Sequence, residues 1–168
     1  LGFFDDALRL TVAGRYTTLK SGDVYSGDFK KSRFTPRIGL SYSIDKNTAV
    51  YFVKDESFLE NFGSDWQGKS FDPITGGNIE VGIKKDWVNG KWNSAVSVYQ
   101  ITRNNVQTTD FDHLNPAGGY YTRQSGQQKT KGVEVDIRGQ IVRGLDVIIN
   151  YAYTDAKVTK DSDKEVIG

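Results

Sequence analysis

The chain has 168 residues, no cysteine and one histidine, and its 22 Lys and Arg nearly cancel 21 Asp and Glu to leave a formal net charge of +1. Scattered basic residues and this balance give no electrostatic pull toward nucleic acid, and the missing cysteines remove a disulfide framework and thiolate metal sites. No apolar stretch approaches the ~18 residues of a membrane-spanning helix, whereas 12% aromatics and 18 glycines suit strands and turns.

The first expected strand runs from about Ala7 to Leu19, with Leu8, Leu10, Val12 and Tyr16 on one face and Arg9, Thr11, Ala13 and Arg15 on the other. Lys20 to Lys31, rich in Ser, Gly, Asp and Lys, reads as a loop. Ser32 to Ile44 alternates most cleanly. Phe34, Pro36, Ile38, Leu40, Tyr42 and Ile44 share one face, and Arg33, Thr35, Arg37, Gly39, Ser41 and Ser43 the other, because successive strand side chains point to opposite faces. Asp45-Lys46-Asn47 makes a tight turn.

Thr48 to Phe58 is a third strand of ambiguous register, since Val50 and Phe52 compete with Tyr51 and Val53 for the apolar face. Leu59 to Gly77 reads as a long loop with turn signals at Asp72-Pro73 and Gly76-Gly77. Asn78 to Val88 sets Ile79, Val81, Ile83 and Trp87 against Glu80, Gly82, Lys84 and Asp86, and Asn89-Gly90 signals a two-residue hairpin turn. Lys91 to about Gln107 is the fifth strand, with Trp92, Val96 and Val98 on the apolar side. Thr108 to Gly119 reads as loop, and Tyr120 to Gln128 as a strand extension. Thr130 to Val142, the turn Arg143-Gly144 and Leu145 to Val158 complete the series, and Thr159 opens another loop.

Short and long connections alternate in this reading. Transmembrane barrels combine short periplasmic turns with longer outer loops, and their strands alternate apolar-out and polar-in. The expected fold is therefore all-β, an antiparallel up-and-down meander belonging to a membrane barrel. The chain begins at Leu1 without Met and shows no signal peptide, so it reads as an internal segment of a longer protein, with a processed mature domain as the alternative.

Several motifs then resemble one family. Phe34-Thr35-Pro36-Arg37-Ile38-Gly39-Leu40-Ser41-Tyr42 is similar to the F-x-P-R-x-G-L-x-Y strand of the TonB-dependent siderophore receptors, especially the ferrichrome-receptor-like group. Tyr51-Phe52 with Glu56-Ser57-Phe58, and Gly68-Lys69-Ser70-Phe71-Asp72-Pro73 leading to Glu80-Val81-Gly82-Ile83-Lys84, resemble its next two strands. Ile101-Thr102-Arg103-Asn104-Asn105-Val106, Gly132-Val133-Glu134-Val135-Asp136 and Tyr151-Ala152-Tyr153-Thr154-Asp155-Ala156 continue in the same order. Each motif is weak alone and specific in series. Lys54-Asp55, Leu59-Glu60 and Ile79 depart from the pattern, which leaves the ligand open.

The resemblance implies a 22-stranded outer-membrane barrel of a Gram-negative cell around an N-terminal plug, importing ferric siderophores with energy passed by TonB. Residues 1–168 would be a partial barrel domain of about seven strands from its C-terminal part, with the plug and the TonB-contacting segment absent. The ferric siderophore would be cargo, and no cofactor would be bound by protein ligands. Partners would be the siderophore, the TonB complex through the missing segment, and outer-membrane lipid. The isolated segment would associate through strand edges or apolar faces.

The ligand-binding candidates are the loop aromatics Trp66, Phe71, Phe111, Tyr120 and Tyr121, with Phe62 beside them; aromatic rings offer contact area and, in Trp and Tyr, a hydrogen-bonding edge. Trp87, Trp92, Tyr151 and Tyr153 read as an interfacial aromatic girdle. His113 has no second His or Cys to form a metal cluster, and Asp110 and Asp112 read as solvated loop charges. Arg9, Arg15, Arg33, Arg37, Glu80, Lys84, Glu134, Asp136 and Arg138 would face an aqueous interior. Catalysis by Glu80 and Glu134 has no support, since pleat spacing alone accounts for them, so the chain is not expected to be an enzyme. Gly39, Gly82, Gly132 and Gly139 would admit bends or another backbone, and Pro36 would cost a ladder bond. The alternative function is a soluble β-sandwich module binding carbohydrate or another ligand, with its apolar face buried between two sheets. An adhesin-like or assembly barrel without affinity for iron chelates is a third possibility.

Overall fold

A computed structural model describes residues 1–23, 27–161 and 163–168. The described residues form one antiparallel sheet of eight strands, each hydrogen-bonded to its sequence neighbour. They are β1 (Gly2–Phe3), β2 (Leu8–Asp23), β3 (Gly27–Ser43), β4 (Thr48–Leu59), β5 (Ile74–Trp87), β6 (Trp92–Leu114), β7 (Tyr120–Val142) and β8 (Leu145–Lys160). A 3-10 turn at Lys164–Val166 follows. Among the described residues no helix is long and apolar enough to cross a membrane.

The seven long strands coincide with the expected ones at their tight-turn ends and outgrow them at the other. The loop expected over 20–31 falls largely within extended β2 and β3, which stay paired to Asp23–Gly27; residues 24–26 lie outside the described residues. The loop expected over 108–119 shrinks to residues 115–119, because β6 continues to Leu114 and β7 starts at Tyr120 and runs unbroken through Gln128 and Thr130. Beyond a membrane both faces of a hairpin meet water, so its sequence loses the alternation that marks a strand. Gly76-Gly77 lies inside β5 and makes no turn. The two-residue Asn89-Gly90 turn is instead four residues, Val88 to Lys91, closed by the Trp87–Trp92 pair, with positive φ at Val88, Asn89 and Gly90. Phe4, Asp5 and Asp6 repeat that left-handed sequence between β1 and β2.

Register settles the faces. Leu10, Leu40, Phe52, Val81, Val98, Val133 and Tyr153 form one row across β2 to β8, and Leu8, Tyr42, Val50, Ile83, Val96, Val135 and Tyr151 form the next. Val50 and Phe52 thus take the apolar face in β4. This face has nothing packed over it: Ile38 is 45% exposed, Val98 51% and Tyr151 60%. The only buried hydrophobic side chains among the described residues are Phe58 and Phe71. A sandwich would hide one such face between two sheets; one sheet with a continuous bare apolar face is the wall of a lipid-facing barrel. The band runs obliquely. It rises to Tyr16 and Phe34 on β2 and β3 but ends at Val133 and Tyr153 on β7 and β8, as tilted barrel strands require.

The opposite face is polar. Tyr51 Oη donates to Glu80 Oε1 at 2.6 Å, Lys84 Nζ sits 4.9 Å from the Tyr51 ring centre, and Tyr99 Oη lies 3.1 Å from Thr154 Oγ1. The strand glycines serve these rings. A Cβ on Gly82 would come within 2.6 Å of the Tyr51 ring, and one on Gly132 within 2.4 Å of Tyr99; on the apolar face one on Gly139 would come within 2.1 Å of Trp92. What approaches these three glycines is therefore an aromatic ring and not another backbone. Gly39 meets only ordinary contacts.

Pro36 is accounted for by the ladder itself. The β3–β4 pairing ends at Arg37–Asp55, one residue before Pro36, while β2–β3 pairing continues to Gly27 and β4–β5 pairing to Leu59. The two hairpins part at a residue that has no donor to give. Their parting leaves a groove of about 430 Å³ lined in part by Gly14, Pro36, Arg37, Asp55 and Phe58. Arg33 Nη2 reaches across to Glu56 Oε2 at 3.1 Å, and Lys31 Nζ to Asp72 Oδ1 at 2.8 Å.

Candidate functional site

The chemistry-bearing residues gather at the end of the sheet away from the tight turns. The connection from β4 to β5, residues 60–73, folds into a small hairpin. Phe71 N donates to Gly63 O at 3.1 Å, Ser64 bridges Ser70, and Asp65 Oδ1 accepts from the amides of Gln67 (3.0 Å) and Lys69 (2.9 Å). Such an Asx arrangement substitutes a side chain for a backbone turn partner. It places Trp66 at the tip.

Asn105 fastens both ends of this connection. Its carbonyl accepts from Asn61 Nδ2 at 3.0 Å, and its Nδ2 donates to Pro73 O at 3.0 Å. Asn105 is the extra residue of a β-bulge, with φ of 61°, a conformation Asn tolerates better than most residues. Gln107 Nε2 donates to Asn61 Oδ1 at 2.6 Å and to Phe62 O at 2.7 Å, and Gln124 bonds both the amide and the carbonyl of Asp72. The bulge interrupts the β6–β7 ladder where the loop docks, turning ladder residues into anchors.

Beyond the bulge, Trp66 stacks on His113 with ring centroids 4.0 Å apart and planes 12° from parallel. His113 Nδ1 lies 2.9 Å from Asp110 Oδ2, and Arg123 Nη1 lies 3.0 Å from Asp112 Oδ2 and 3.7 Å from Asp110 Oδ1. Asp112 is solvated as expected. Asp110 is not; its side chain is 3% exposed, because the His113 ring, the Asp112 amide and Arg123 converge on it. Among the described residues no group of three or more His, Cys, Asp or Glu could hold a metal ion.

The aromatic candidates divide. Trp66 (47% exposed) presents one ring face and rests the other on His113. Phe111 and Tyr120, 51% and 46% exposed, meet edge to face at 5.3 Å. Tyr121, half-buried, pairs with Asp110 in the β6–β7 ladder. Phe71 is 3% exposed and packs on Gly63, so its ring supports the hairpin from within. Asn105, Gln107 and Gln124 are not among the sequence's binding candidates; the Asn104-Asn105 pair inside a strand pattern is the one local signal of the anchor, since Asn is depleted in strands.

At the opposite end, Trp87 and Trp92 face each other across the last pair before the turn, and Trp87 Nε1 donates to Ser94 Oγ at 2.9 Å. Asp45 Oδ1 accepts from the Asn47 amide at 2.7 Å, and that bond holds the Asp45 carboxyl below its ordinary pKa.

Residues 2–167 match the family described as TonB dependent receptor-like, beta-barrel. The chain is 33% identical over 129 residues to the metal-pseudopaline receptor CntO of Pseudomonas aeruginosa, covering 77% of this chain and 18% of that protein. It is 28% identical over 162 residues to the ferrichrome outer membrane transporter/phage receptor of Escherichia coli K12, covering 94% of this chain and 21% of that one. In structure it is similar to the ferripyoverdine receptor of Pseudomonas aeruginosa bound to ferripyoverdine, with a TM-score of 0.77 and 25% identity over 94% of this chain and 22% of that chain. The chain thus spans about a fifth of the length of these relatives.

Proposed function

Because the chain belongs to the TonB-dependent receptor β-barrel family of the Gram-negative outer membrane, we propose that it forms wall and outer surface of a receptor importing ferric siderophores, driven by TonB. In this reading the plug and the TonB-contacting segment belong to other parts of the receptor, and this chain contributes recognition without catalysis. The bare apolar band opposite a polar face carries the wall role. The docked hairpin carries the recognition role: a rigid, tethered aromatic tip spends little ordering entropy when a ligand arrives.

Trp66, Phe111, Tyr120 and Tyr121 are the proposed ligand contacts, with Phe71 holding the hairpin. Aromatic faces and edges suit chelates that combine planar or apolar surface with peripheral hydrogen-bonding groups. A different metal chelate as cargo is the second reading, favoured by the 33% identity to a receptor named for metal-pseudopaline.

The test is uptake of radiolabelled iron and of other labelled transition metals, each presented as a panel of chelates, by cells with and without the receptor that carries this chain. Loss of uptake for one ferric chelate on deletion, restored by the wild-type gene, is the expected result. Unchanged uptake of every iron chelate alongside lost uptake of another metal chelate would transfer the proposal to the second reading; unchanged uptake of all would end both.

A further inference from the structure

His113 is held between two groups that both respond to its charge. On one side the Trp66 ring lies 4.0 Å away and 12° from parallel, well within the distance at which an aromatic face attracts a cation. On the other, His113 Nδ1 lies 2.9 Å from Asp110 Oδ2. The two oxygens of this carboxylate are divided. Oδ1 accepts the Asp112 amide at 3.2 Å and has Arg123 Nη1 at 3.7 Å, while Oδ2 meets the imidazole. Asp110 is buried, so little water competes for it, whereas His113 is partly exposed and can exchange protons with solvent. The other charges near the ring balance. Asp112 of β6 is exposed and paired with Arg123 of β7 at 3.0 Å. Tyr121 of β7 stands opposite Asp110 in the ladder. On the hairpin, Asp65 accepts two backbone amides and Lys69 is exposed.

We propose that Asp110 and His113 form a proton-responsive clasp on Trp66, firm when the imidazole is charged and slack when it is neutral. A neutral ring keeps its Nδ1–H bond to Asp110 and gives up the proton on Nε2. With that proton go the charge assistance of the Asp110 bond and the attraction of a cation to the indole face. Histidine is the side chain whose ordinary change of charge spans about pH 5 to 8. The other fastenings of the hairpin do not share this response, because Asn61, Asn105, Gln107 and Gln124 hold it through neutral amides. Acidity therefore acts on the tip while the base of the connection stays anchored. Asp110 is a positioning residue that reaches Trp66 through His113. The use of the clasp to the receptor rests on Trp66 being a chelate contact; its existence does not.

The experiment uses the complete receptor in detergent micelles, without chelate and labelled with fluorotryptophan. The Trp66 line in the fluorine NMR spectrum is the one missing from Trp66→Phe. Across about pH 5 to 8 the wild-type line should shift in a single step. His113→Gln should abolish the step, and so should His113→Arg, whose charge is permanent. Asp110→Asn should shrink the step and Asp110→Glu restore it. Amide exchange over residues 60–73, corrected for its intrinsic pH dependence, separates the two His113 variants. Wild type should exchange at least about twofold more slowly at the acid end, His113→Gln equally fast at both ends, and His113→Arg slowly at both. If the Asp110 variants do not fold, the His113 variants decide alone. A wild-type line that does not move, a step that survives in His113→Gln, equal corrected exchange at both ends of the wild-type range, or an undiminished step in Asp110→Asn overturns the proposal. Neither measurement involves a chelate, so failure here and failure of the uptake test are separate results.

Discussion

Trp66 and His113 stack nearly parallel at 4.0 Å although one belongs to the β4–β5 connection and the other to β6. The stack is held from both sides, by Asp65 ordering the hairpin tip and by Asp110 bonding the imidazole. A tryptophan so placed is a fixed platform.

His113→Ala removes that support while leaving Trp66 in place. An aromatic pair contributes about 0.5–1.5 kcal/mol, so chelate affinity of the receptor should fall roughly two- to tenfold by isothermal titration. Trp66→Ala should cost at least as much. Unchanged affinity in both variants would remove Trp66 from the ligand contacts.

Asn105→Ala should loosen the hairpin at its Pro73 end, the bond from Asn61 to the Asn105 backbone carbonyl remaining available. It deletes the bond to Pro73 O and places a less tolerant residue at φ of 61°. The expected cost is about 1–2 kcal/mol, seen as faster amide exchange over residues 60–73 with β2 and β3 unaffected. Asn105→Gly relieves the backbone and should fall between wild type and Ala.

Gly132→Ala forces the Tyr99 ring away from the strand it crosses. Overpacking at such a contact costs about 1–3 kcal/mol, measurable as a lower unfolding midpoint in urea. Gly77→Ala is the matched control, since a Cβ there meets nothing within 4 Å; it should change the midpoint little.

Val88 holds φ of 51° in the β5–β6 turn, a conformation costly for a β-branched side chain. Val88→Asn or Val88→Gly should therefore stabilise the barrel, by about 0.5–1 kcal/mol, with the same urea midpoint as readout.

Asp45 titrates below its ordinary range in the folded turn, chiefly because its carboxylate accepts the Asn47 amide. A lowered folded pKa means the contribution is complete above the unfolded carboxylate value and is lost as pH falls through the folded one. NMR titration should place the Asp45 midpoint below that of an unstructured peptide of the same sequence. Asp45→Asn should flatten any acid-side stability loss arising at this turn.

Strand existence and facing were legible wherever one side meets lipid. Ile38, Leu40, Val81 and Val133 announce themselves by period alone, because a one-residue slip would turn the charges toward lipid. The outer hairpins were illegible for the complementary reason: Thr108 to Leu114 has water or polar neighbours on both sides and no alternation to read. The β4 ambiguity between Val50–Phe52 and Tyr51–Val53 needed Gly82, since Tyr51 can lie on the polar face only because its partner lacks a side chain. At the site, the aromatics could be named from sequence, but the burial of Phe71 and Asp110 comes from long-range contacts that no local pattern encodes. The β6 bulge likewise depends on Asn105 answering to residues far away in sequence.

The lapse of pairing beside Pro36 divides the wall into two regimes of length. Below it, residues 37–43 are locked to 49–55 rung by rung, and adding or deleting a residue there would displace every side chain after it. Above it, among the described residues, the two hairpins share no rungs and are tied by the Arg33–Glu56 and Lys31–Asp72 pairs. Chain can be inserted or trimmed in those outer arms with the transmembrane rungs unmoved, so the outer arms can diversify in size while the part that meets lipid stays fixed.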